Sequence, residues 1–301
     1  MTKLWEPING VYTATSPLFS WAQPFLNVDG AAWVSAVISA GFGAGVGAWM
    51  AGRIADRTKL KHDLLSEMRS VDIAITICAS TIDLAGSLKK QYSSEILKEF
   101  NEAVAAFEAY KKNENRNSIF ELRIKNRKLQ TIEPPISELQ NLVLKDMSTS
   151  PNGVKSIIAL RDSVGNLNGM ISAYNTLLEA FKSGNLPHGF KPEHYYLSIP
   201  IGGVVNDEYG SAVKGIATYT DDVLFFAYKL SGCLTLRGIE VSKEYKKTFG
   251  EKRFTRELSL FDENVGLIPS DHAYEGWMRG WESNLPKSDK RKRFWKFRKK
   301  R

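Results

Sequence analysis

The feature that most constrains this chain is an uncharged run of 23 residues, from 30 to 52. As an α-helix rising about 1.5 Å per residue, it is long enough to cross a hydrocarbon core of about 30 Å. Two rows of side chains at every fourth position are small, and a third row is large and apolar. Residues 31–52 are therefore predicted to form a transmembrane helix whose small face packs against a neighbour. The predicted packing residues are Ala36, Ser39, Ala40, Gly43, Ala44, Gly47 and Ala48.

Two other structures are compatible with part of this glycine pattern. Gly43, Gly45 and Ala48 match the G-x-G-x-x-A fingerprint of a dinucleotide-binding loop. That fingerprint also needs a second strand that ends in an acidic residue about 20 positions later. The chain there reads RTKLKHDLLSEMRS, which is polar and helical in pattern, so the membrane helix is the better interpretation. The other alternative is a buried helix of a soluble domain.

The distribution of Lys and Arg predicts the orientation of the span. Lys3 is the only basic residue before the run, whereas Arg53, Arg57 and Lys59 follow it closely. Because positive residues stay on the cytoplasmic side, we expect a short extracytoplasmic or interfacial leader at 1–30 and a cytoplasmic C-terminus. The membrane would be the inner membrane if the chain is bacterial.

Residues 53–286 are predicted to form a mainly α-helical cytoplasmic domain. Apolar residues recur there at steps of three and four, which is the spacing of one helix face. Four such stripes predict an antiparallel helical bundle whose first helix continues from the membrane span. The stripes cover residues 68–85, 97–107, 157–181 and 213–233. Ser150 before Pro151 indicates a helix start, and Gly184 indicates a helix end.

Two segments break the helical period. In FELRIKN, residues 120–126, Phe120, Leu122 and Ile124 alternate with charged residues, which is the pattern of a half-buried strand. YYLSIPIGGVV, residues 195–205, is also extended in character. The predicted fold class is therefore mainly α, with one N-terminal transmembrane helix, a cytoplasmic antiparallel bundle, and a small two-stranded β element formed by these segments.

No group of residues in the sequence points to catalysis, a metal or a cofactor. His188 and His194 lie six positions apart in a proline-containing loop, which is not the spacing of a helical zinc site. Asp221 and Asp222 are helical neighbours, whose side chains point in different directions. We therefore predict no metal and no cofactor, and the sequence favours a protein that is not an enzyme, although a site assembled from distant residues leaves no signal in a single sequence.

The basicity of the chain is concentrated at its C-terminus. The net charge is +8, and residues 287–301 hold ten Lys or Arg and one Asp, so the rest of the chain is close to neutral. Such a basic aromatic tail binds an anionic leaflet, with up to about 1 kcal/mol from each cation. Nucleic acid is the second possible partner, because phosphates attract the same cations and bases stack on aromatic rings. The predicted contact residues are Lys290, Arg291, Lys292, Arg293, Phe294, Trp295, Lys296, Phe297, Arg298, Lys299, Lys300 and Arg301.

Together these features predict a single-pass membrane protein that self-associates as a helical scaffold or adaptor. Small-residue packing of the membrane helix would drive homo-oligomers, the bundle would recruit a cytosolic protein, and the tail would return to the membrane lipids. The alternative function is a membrane-perturbing effector of the toxin or defence type, whose glycine- and alanine-rich helices oligomerise on a cytoplasmic trigger. The same small-residue face predicts both.

Overall fold

The computed structural model describes residues 32–113, 119–125, 127–258 and 266–279, with side chains from residue 46 onward. The described chain is mainly α-helical, as predicted. It divides into two units, Met1–Ser66 and Glu67–Arg301. The predicted leader at 1–30 and the basic tail at 287–301 lie outside the described residues.

Four long helices carry the four predicted stripes. They are α1 at Ala32–Leu88, α2 at Ser94–Lys112, α4 at Pro151–Ser183 and α6 at Glu208–Phe249. The shorter helices are α3 at Ile136–Asn141, α5 at Pro192–Tyr196 and α7 at Glu275–Arg279. A π-helical turn at Lys89–Ser93 joins α1 to α2, a second at Leu142–Asp146 follows α3, and a 3₁₀ turn at Asp271–Tyr274 precedes α7.

The ends of α4 follow from local chemistry that the sequence displays. The Ser150 side chain accepts a hydrogen bond from the Gly153 backbone N–H at 3.3 Å, and Pro151 occupies the first helical position. Such a cap satisfies one of the N–H groups that a helix start leaves without a partner. Gly184 ends the helix with a φ of +70°, in the left-handed region that glycine adopts without strain.

The second unit has a single hydrophobic core built from all four long helices. Side chains with no exposed surface include Val71, Cys78 and Ile82 of α1, Leu160, Leu167 and Ile171 of α4, and Leu224, Leu230 and Leu234 of α6. Between α4 and α6, Gly153 lies beside Cys233, and the Tyr174 and Tyr209 ring centroids are 5.6 Å apart. Burial of these apolar surfaces, at about 25 cal/mol per Å², is the main stabilising contribution.

Two ion pairs join α6 to the preceding helical segments of the second unit. Arg237 donates two hydrogen bonds to the Glu67 carboxylate, at 2.8 and 3.1 Å, and both side chains are largely shielded from water. The Lys89 ammonium lies 2.6 Å from the Asp221 carboxylate. The net contribution of such shielded pairs to stability is small, because the charges lose hydration when they are buried.

The predicted two-stranded β element is wrong, since no strand occurs in the described ranges. Phe120, Leu122 and Ile124 alternate as predicted, but their segment packs against helices. The Phe120 ring lies 5.3 Å from that of Phe107 and 5.5 Å from that of Tyr110, both on α2. Leu122 and Ile124 are partly buried against the core. Period-two alternation therefore reports an extended chain with one buried side, whatever covers that side.

Charged groups fasten the same extended segment to α2. Lys125 forms an ion pair with Glu99, and Arg127 donates to Glu95 at 2.7 Å. The hydrogen bond and charge of Arg127 lower the pKa of Glu95 below its usual value. Of the charged residues in FELRIKN, Lys125 therefore contacts α2, whereas Arg123 lies 3.6 Å from Glu121 of the same segment.

Two asparagines on α4 replace the strand that this extended chain lacks. The Asn175 amide accepts from the Leu129 N–H at 3.0 Å and donates to the Leu129 carbonyl at 2.8 Å. Asn168 makes the same pair of bonds to Ile132, also at 3.0 and 2.8 Å. Because each amide offers one donor and one acceptor to one residue, the pair satisfies the backbone as a neighbouring strand would.

The second predicted strand is interrupted by structure of its own. Residues Pro192–Tyr196 are helical. Ile201 and Val204 exchange two backbone hydrogen bonds of 2.9 Å across Gly202 and Gly203. Both glycines have positive φ, at +56° and +84°, as a tight two-residue turn requires. Residues 201–204 therefore form backbone hydrogen bonds with each other, and the predicted pairing with residues 120–126 does not form.

Replacing Asn168 or Asn175 with alanine is expected to lower the free energy of unfolding by about 1–3 kcal/mol, because a partly buried backbone N–H and C=O lose their partners. Denaturation of the Asn168→Ala and Asn175→Ala proteins, followed by circular dichroism in mild detergent, measures the loss. Asn166→Ala is the control, since this exposed asparagine lies on the same helix and should change stability by less than about 0.5 kcal/mol. Equal losses of stability at all three positions would contradict a specific role for the paired asparagine hydrogen bonds.

Candidate functional site

The predicted packing surface lies on the first part of α1. The backbone is helical from Ala32, so positions four apart in the sequence share a face. Gly47 and Ala48 are exposed, and a Cβ added to Gly47 would meet no atom within 4 Å. Gly52, in the same helix, has the same open space. For Ala36, Ser39, Ala40, Gly43 and Ala44 the structure describes only the helical backbone.

Large apolar side chains are exposed beside these small ones. Val46, Met50 and Ile54 form one row at every fourth position and are 50%, 55% and 66% exposed. Trp49 is 58% exposed, and the Arg53 guanidinium lies 4.6 Å from its ring centroid. An exposed apolar row of this kind marks a surface that another molecule or a lipid covers. Tryptophan is enriched at both interfaces between a membrane and water.

One described helix, the continuous segment Val46–Lys112, is long and apolar enough to cross a membrane. Its most apolar window has a mean hydropathy of 1.5, and half of that window is buried inside the protein. This window corresponds to residues 71–88, where Asp72 and Asp83 are the only acidic or basic residues. Val71 and Ile82 within it belong to the core. This window is therefore distinct from the predicted span at 31–52.

The segment that precedes the basic tail is fastened to the core by aromatic rings. The Tyr274 ring is stacked on that of Phe225 with 3.7 Å between centroids. The Trp277 ring lies 4.9 Å from that of Phe226. Phe225 has no exposed surface and Phe226 very little, so these contacts extend the core of the second unit to residues Asp271–Tyr274 and α7.

A buried lysine, Lys155, also contacts this segment. The Lys155 ammonium donates to the Trp277 carbonyl at 2.6 Å and lies 3.4 Å from the centroid of the Trp277 ring. Lys155 is only 5% exposed, and burial lowers the pKa of its ammonium. The ring face and the carbonyl together replace part of the hydration that the cation loses.

Carboxylates complete the attachment of this segment, which we call the C-terminal clamp, residues 266–279. The Tyr274 hydroxyl donates to Asp222 at 2.6 Å, and Lys229 contacts Asp271 at 2.7 Å. Burial raises the pKa of the Asp222 carboxyl. Its neighbour Asp221 points instead to Lys89, so the two adjacent carboxylates serve different contacts.

The histidine loop forms a helix cap. The His194 Nδ1 accepts from the Lys191 N–H at 2.8 Å, and the His194 ring meets that of Phe190 edge to face. Among the described residues, no group of three or more His, Cys, Asp or Glu side chains is arranged to hold a metal. The histidine that sequence spacing singled out therefore caps α5.

The C-terminal clamp was not predicted from the sequence. Tyr274 at the end of the 3₁₀ turn and Trp277 in α7 are three residues apart, which is a weak signal by itself. The twelve predicted tail residues from Lys290 to Arg301 lie outside the described residues.

Comparisons of the chain with protein-family models, with curated proteins and with solved structures find no match.

Replacing Trp277 with alanine is expected to loosen the C-terminal clamp, because the ring contacts to Phe226 and to the Lys155 ammonium disappear together. Backbone amides in residues 266–279 should then exchange with deuterium at least about tenfold faster, as local opening becomes easier by 1.4 kcal/mol or more. Met278→Ala is the control, since Met278 is exposed and adjacent. If both variants exchange like the original chain, Trp277 does not hold the clamp.

Proposed function

We propose that this chain is a single-pass membrane-anchored scaffold that self-associates through the small-residue face of α1. The N-terminus lies outside and the C-terminus lies in the cytoplasm. The observation that carries the proposal is that the backbone is helical from Ala32. In a helix, the small residues and the large residues of the uncharged run lie on separate continuous faces. A helix so rich in glycine is poorly stable in water, whereas in lipid it must satisfy its own backbone hydrogen bonds.

The exposed groups of α1 support the assignment of its two faces. The open space at Gly47 and Gly52 leaves room for the backbone of a second helix to approach. The row at Val46, Met50 and Ile54 would face lipid near the membrane edge and a partner beyond it. Lys and Arg that follow the run support the cytoplasmic placement of the second unit.

The second unit would be the cytoplasmic part of the scaffold, and we assign it as an antiparallel bundle. Gly153 near the start of α4 lies beside Cys233 late in α6, whereas Tyr174 late in α4 lies beside Tyr209 at the start of α6. These contacts support opposite directions for the two helices. A rigid bundle offers helix faces to a cytosolic protein partner without needing a catalytic group.

The tail would add a second membrane contact. The predicted tail at 287–301 follows the C-terminal clamp in the sequence, and the clamp is fixed to the core. Because the unit is already tethered to the membrane, tail docking becomes an intramolecular event at a high effective lipid concentration. Ten cations with three aromatic residues suit an anionic leaflet.

Replacing Gly43 and Gly47 together with leucine is expected to weaken self-association by at least about tenfold, because the added side chains keep the helix backbones apart. Cross-linking and analytical ultracentrifugation in mild detergent measure the oligomer. The matched control is Val46→Leu with Met50→Leu, which keeps the large row large. Both double variants should stay in the membrane after an alkaline wash.

The results separate packing from anchoring. Unchanged oligomers in the glycine variant would contradict the small-residue face. Release of the original chain by the alkaline wash would contradict the membrane span itself and favour a soluble helix.

Removing residues 287–301 is expected to lower the affinity for vesicles with an anionic lipid by about tenfold or more at physiological salt, because the tail carries the chain's net positive charge. Co-sedimentation of the chain, held in zwitterionic nanodiscs, measures this. Phe294→Ala with Phe297→Ala keeps every charge and should lose only the contribution of ring insertion. A tail-dependent gel shift with RNA, without tail-dependent vesicle binding, would assign the tail to nucleic acid.

A further inference from the structure

A groove of about 500 Å³ lies between α2, the start of α6 and the loop that follows α5. Phe100, Val104 and Phe107 of α2 line it on one side, and Ile199 and Pro200 line it on the other. The volume falls within the range of small-molecule sites, about 300–1,000 Å³. The apolar surfaces are therefore suited to the body of a small organic molecule.

Two lysines place positive charge on this apolar groove. The Lys214 ammonium lies 5.7 Å from the Phe100 ring centroid, and the Lys111 ammonium lies 5.1 Å from that of Phe107. Lys111 is also 2.5 Å from Glu108, which lines the groove too. The lining thus carries two cations and one carboxylate. Its net charge is complementary to a single anionic group.

Ser198 lines the same groove and has an unusual backbone conformation. Its φ is +50°, the only positive value at a non-glycine residue in the described chain. Such a conformation costs about 1–3 kcal/mol and persists only where the surroundings impose it. Backbone hydrogen bonds on both sides hold it, since the Leu197 N–H donates to the Glu193 carbonyl at 2.9 Å and the Ile199 N–H donates to the His194 carbonyl at 3.1 Å. Ser198 is one of the residues that line the groove.

The floor of the groove is formed before any ligand arrives. Phe100 is buried, with its ring 5.7 Å from that of Tyr196 and 6.1 Å from that of Tyr209. Gly210 makes room for it, since a Cβ there would lie 2.9 Å from the Phe100 ring. Little side-chain freedom remains to be lost on binding, which favours affinity.

The groups behind the floor do not oppose an anion. Burial raises the pKa of Tyr196 to about 12 and raises the pKa of Tyr209 as well, so both phenols are neutral at physiological pH. The nearby carboxylate of Glu99 is paired with Lys125. The charges that line the groove are therefore those of Lys111, Lys214 and Glu108, and their sum is positive.

We propose that this groove binds a small, soluble, amphipathic organic anion. Its aromatic or branched apolar body would lie against Phe100, Val104 and Phe107. Its carboxylate or phosphate would contact the ammonium groups of Lys111 and Lys214 and the Ser198 hydroxyl. This binding is independent of the membrane anchor and would give the scaffold a small-molecule input on its cytoplasmic unit.

The test uses fluorine NMR on the full chain in zwitterionic nanodiscs. The probes are para-trifluoromethyl benzoate, para-trifluoromethylphenyl phosphate and the neutral para-trifluoromethylbenzyl alcohol, with empty nanodiscs as the blank. Both anions should show saturable line broadening, and the alcohol should bind at least about tenfold more weakly, the size of one charge-assisted hydrogen bond. Equal binding of all three probes, or no saturable binding of either anion, would overturn the proposal.

Variants locate the binding. Lys111→Met and Lys214→Met should each weaken the anions about five- to tenfold and leave the alcohol unchanged. Lys98→Met is the matched control, because Lys98 is on the same helix, is 74% exposed and does not line the groove. An equal loss of anion affinity for Lys98→Met would show that the overall charge of the protein causes the effect, and would overturn the assignment of the groove as the binding site.

A filled groove gives a second readout. Val104→Trp should abolish binding of both anions, whereas Ala106→Trp, at an exposed position of the same helix outside the groove, should not. Matching circular dichroism spectra of the two variants check that the fold is intact. If a short-chain phosphatidic acid binds the groove and neither aryl anion does, the occupant is a lipid and the proposal fails.

Discussion

Helical hydrogen bonding is the constraint on which the rest of this structure depends. A helix satisfies its own backbone, so its sequence is free to change from one environment to another without a change of secondary structure. Helix α1 uses this freedom. Met50 and Ile54 are more than half exposed, whereas Cys78 and Ile82 have no exposed surface. One uninterrupted element thereby supplies both an exposed apolar row and a face of the core, and the proposed anchor and the scaffold domain are parts of the same helix.

The non-helical chain shows the same constraint in reverse. An extended segment cannot satisfy its own backbone, so residues 127–135 need donors and acceptors from elsewhere. Asn168 and Asn175 provide them from α4, two helical turns apart, and hold Leu129 and Ile132 with paired bonds. Side-chain amides of one helix therefore hold an extended segment by its backbone, and the described residues contain no sheet.

The helices were predictable because their signals are local. A stripe at steps of three and four needs only its own residues, and so do the cap at Ser150 and the end at Gly184. The strand prediction failed because the alternation of Phe120, Leu122 and Ile124 reports which side is buried but not which partner buries it. The groove was out of reach for a related reason. Lys111, Ser198 and Lys214 come together only through tertiary packing, and none of them belongs to a motif.

The contacts around the apolar window of α1 bear on the choice between scaffold and membrane-perturbing effector. Residues 71–88 are apolar enough to enter a bilayer, so an effector could in principle release them. The Glu67–Arg237 and Lys89–Asp221 pairs lie at the two ends of this window, and Asp72 within it accepts the Arg256 N–H at 2.7 Å. Insertion would break all three contacts, expose the faces of α4 and α6 that the window covers, and carry Asp72 and Asp83 into lipid. A carboxylate at the centre of a membrane helix is expensive by several kcal/mol. The window is thus stabilised where it is, and assembly through the separate small-residue face requires no such rearrangement.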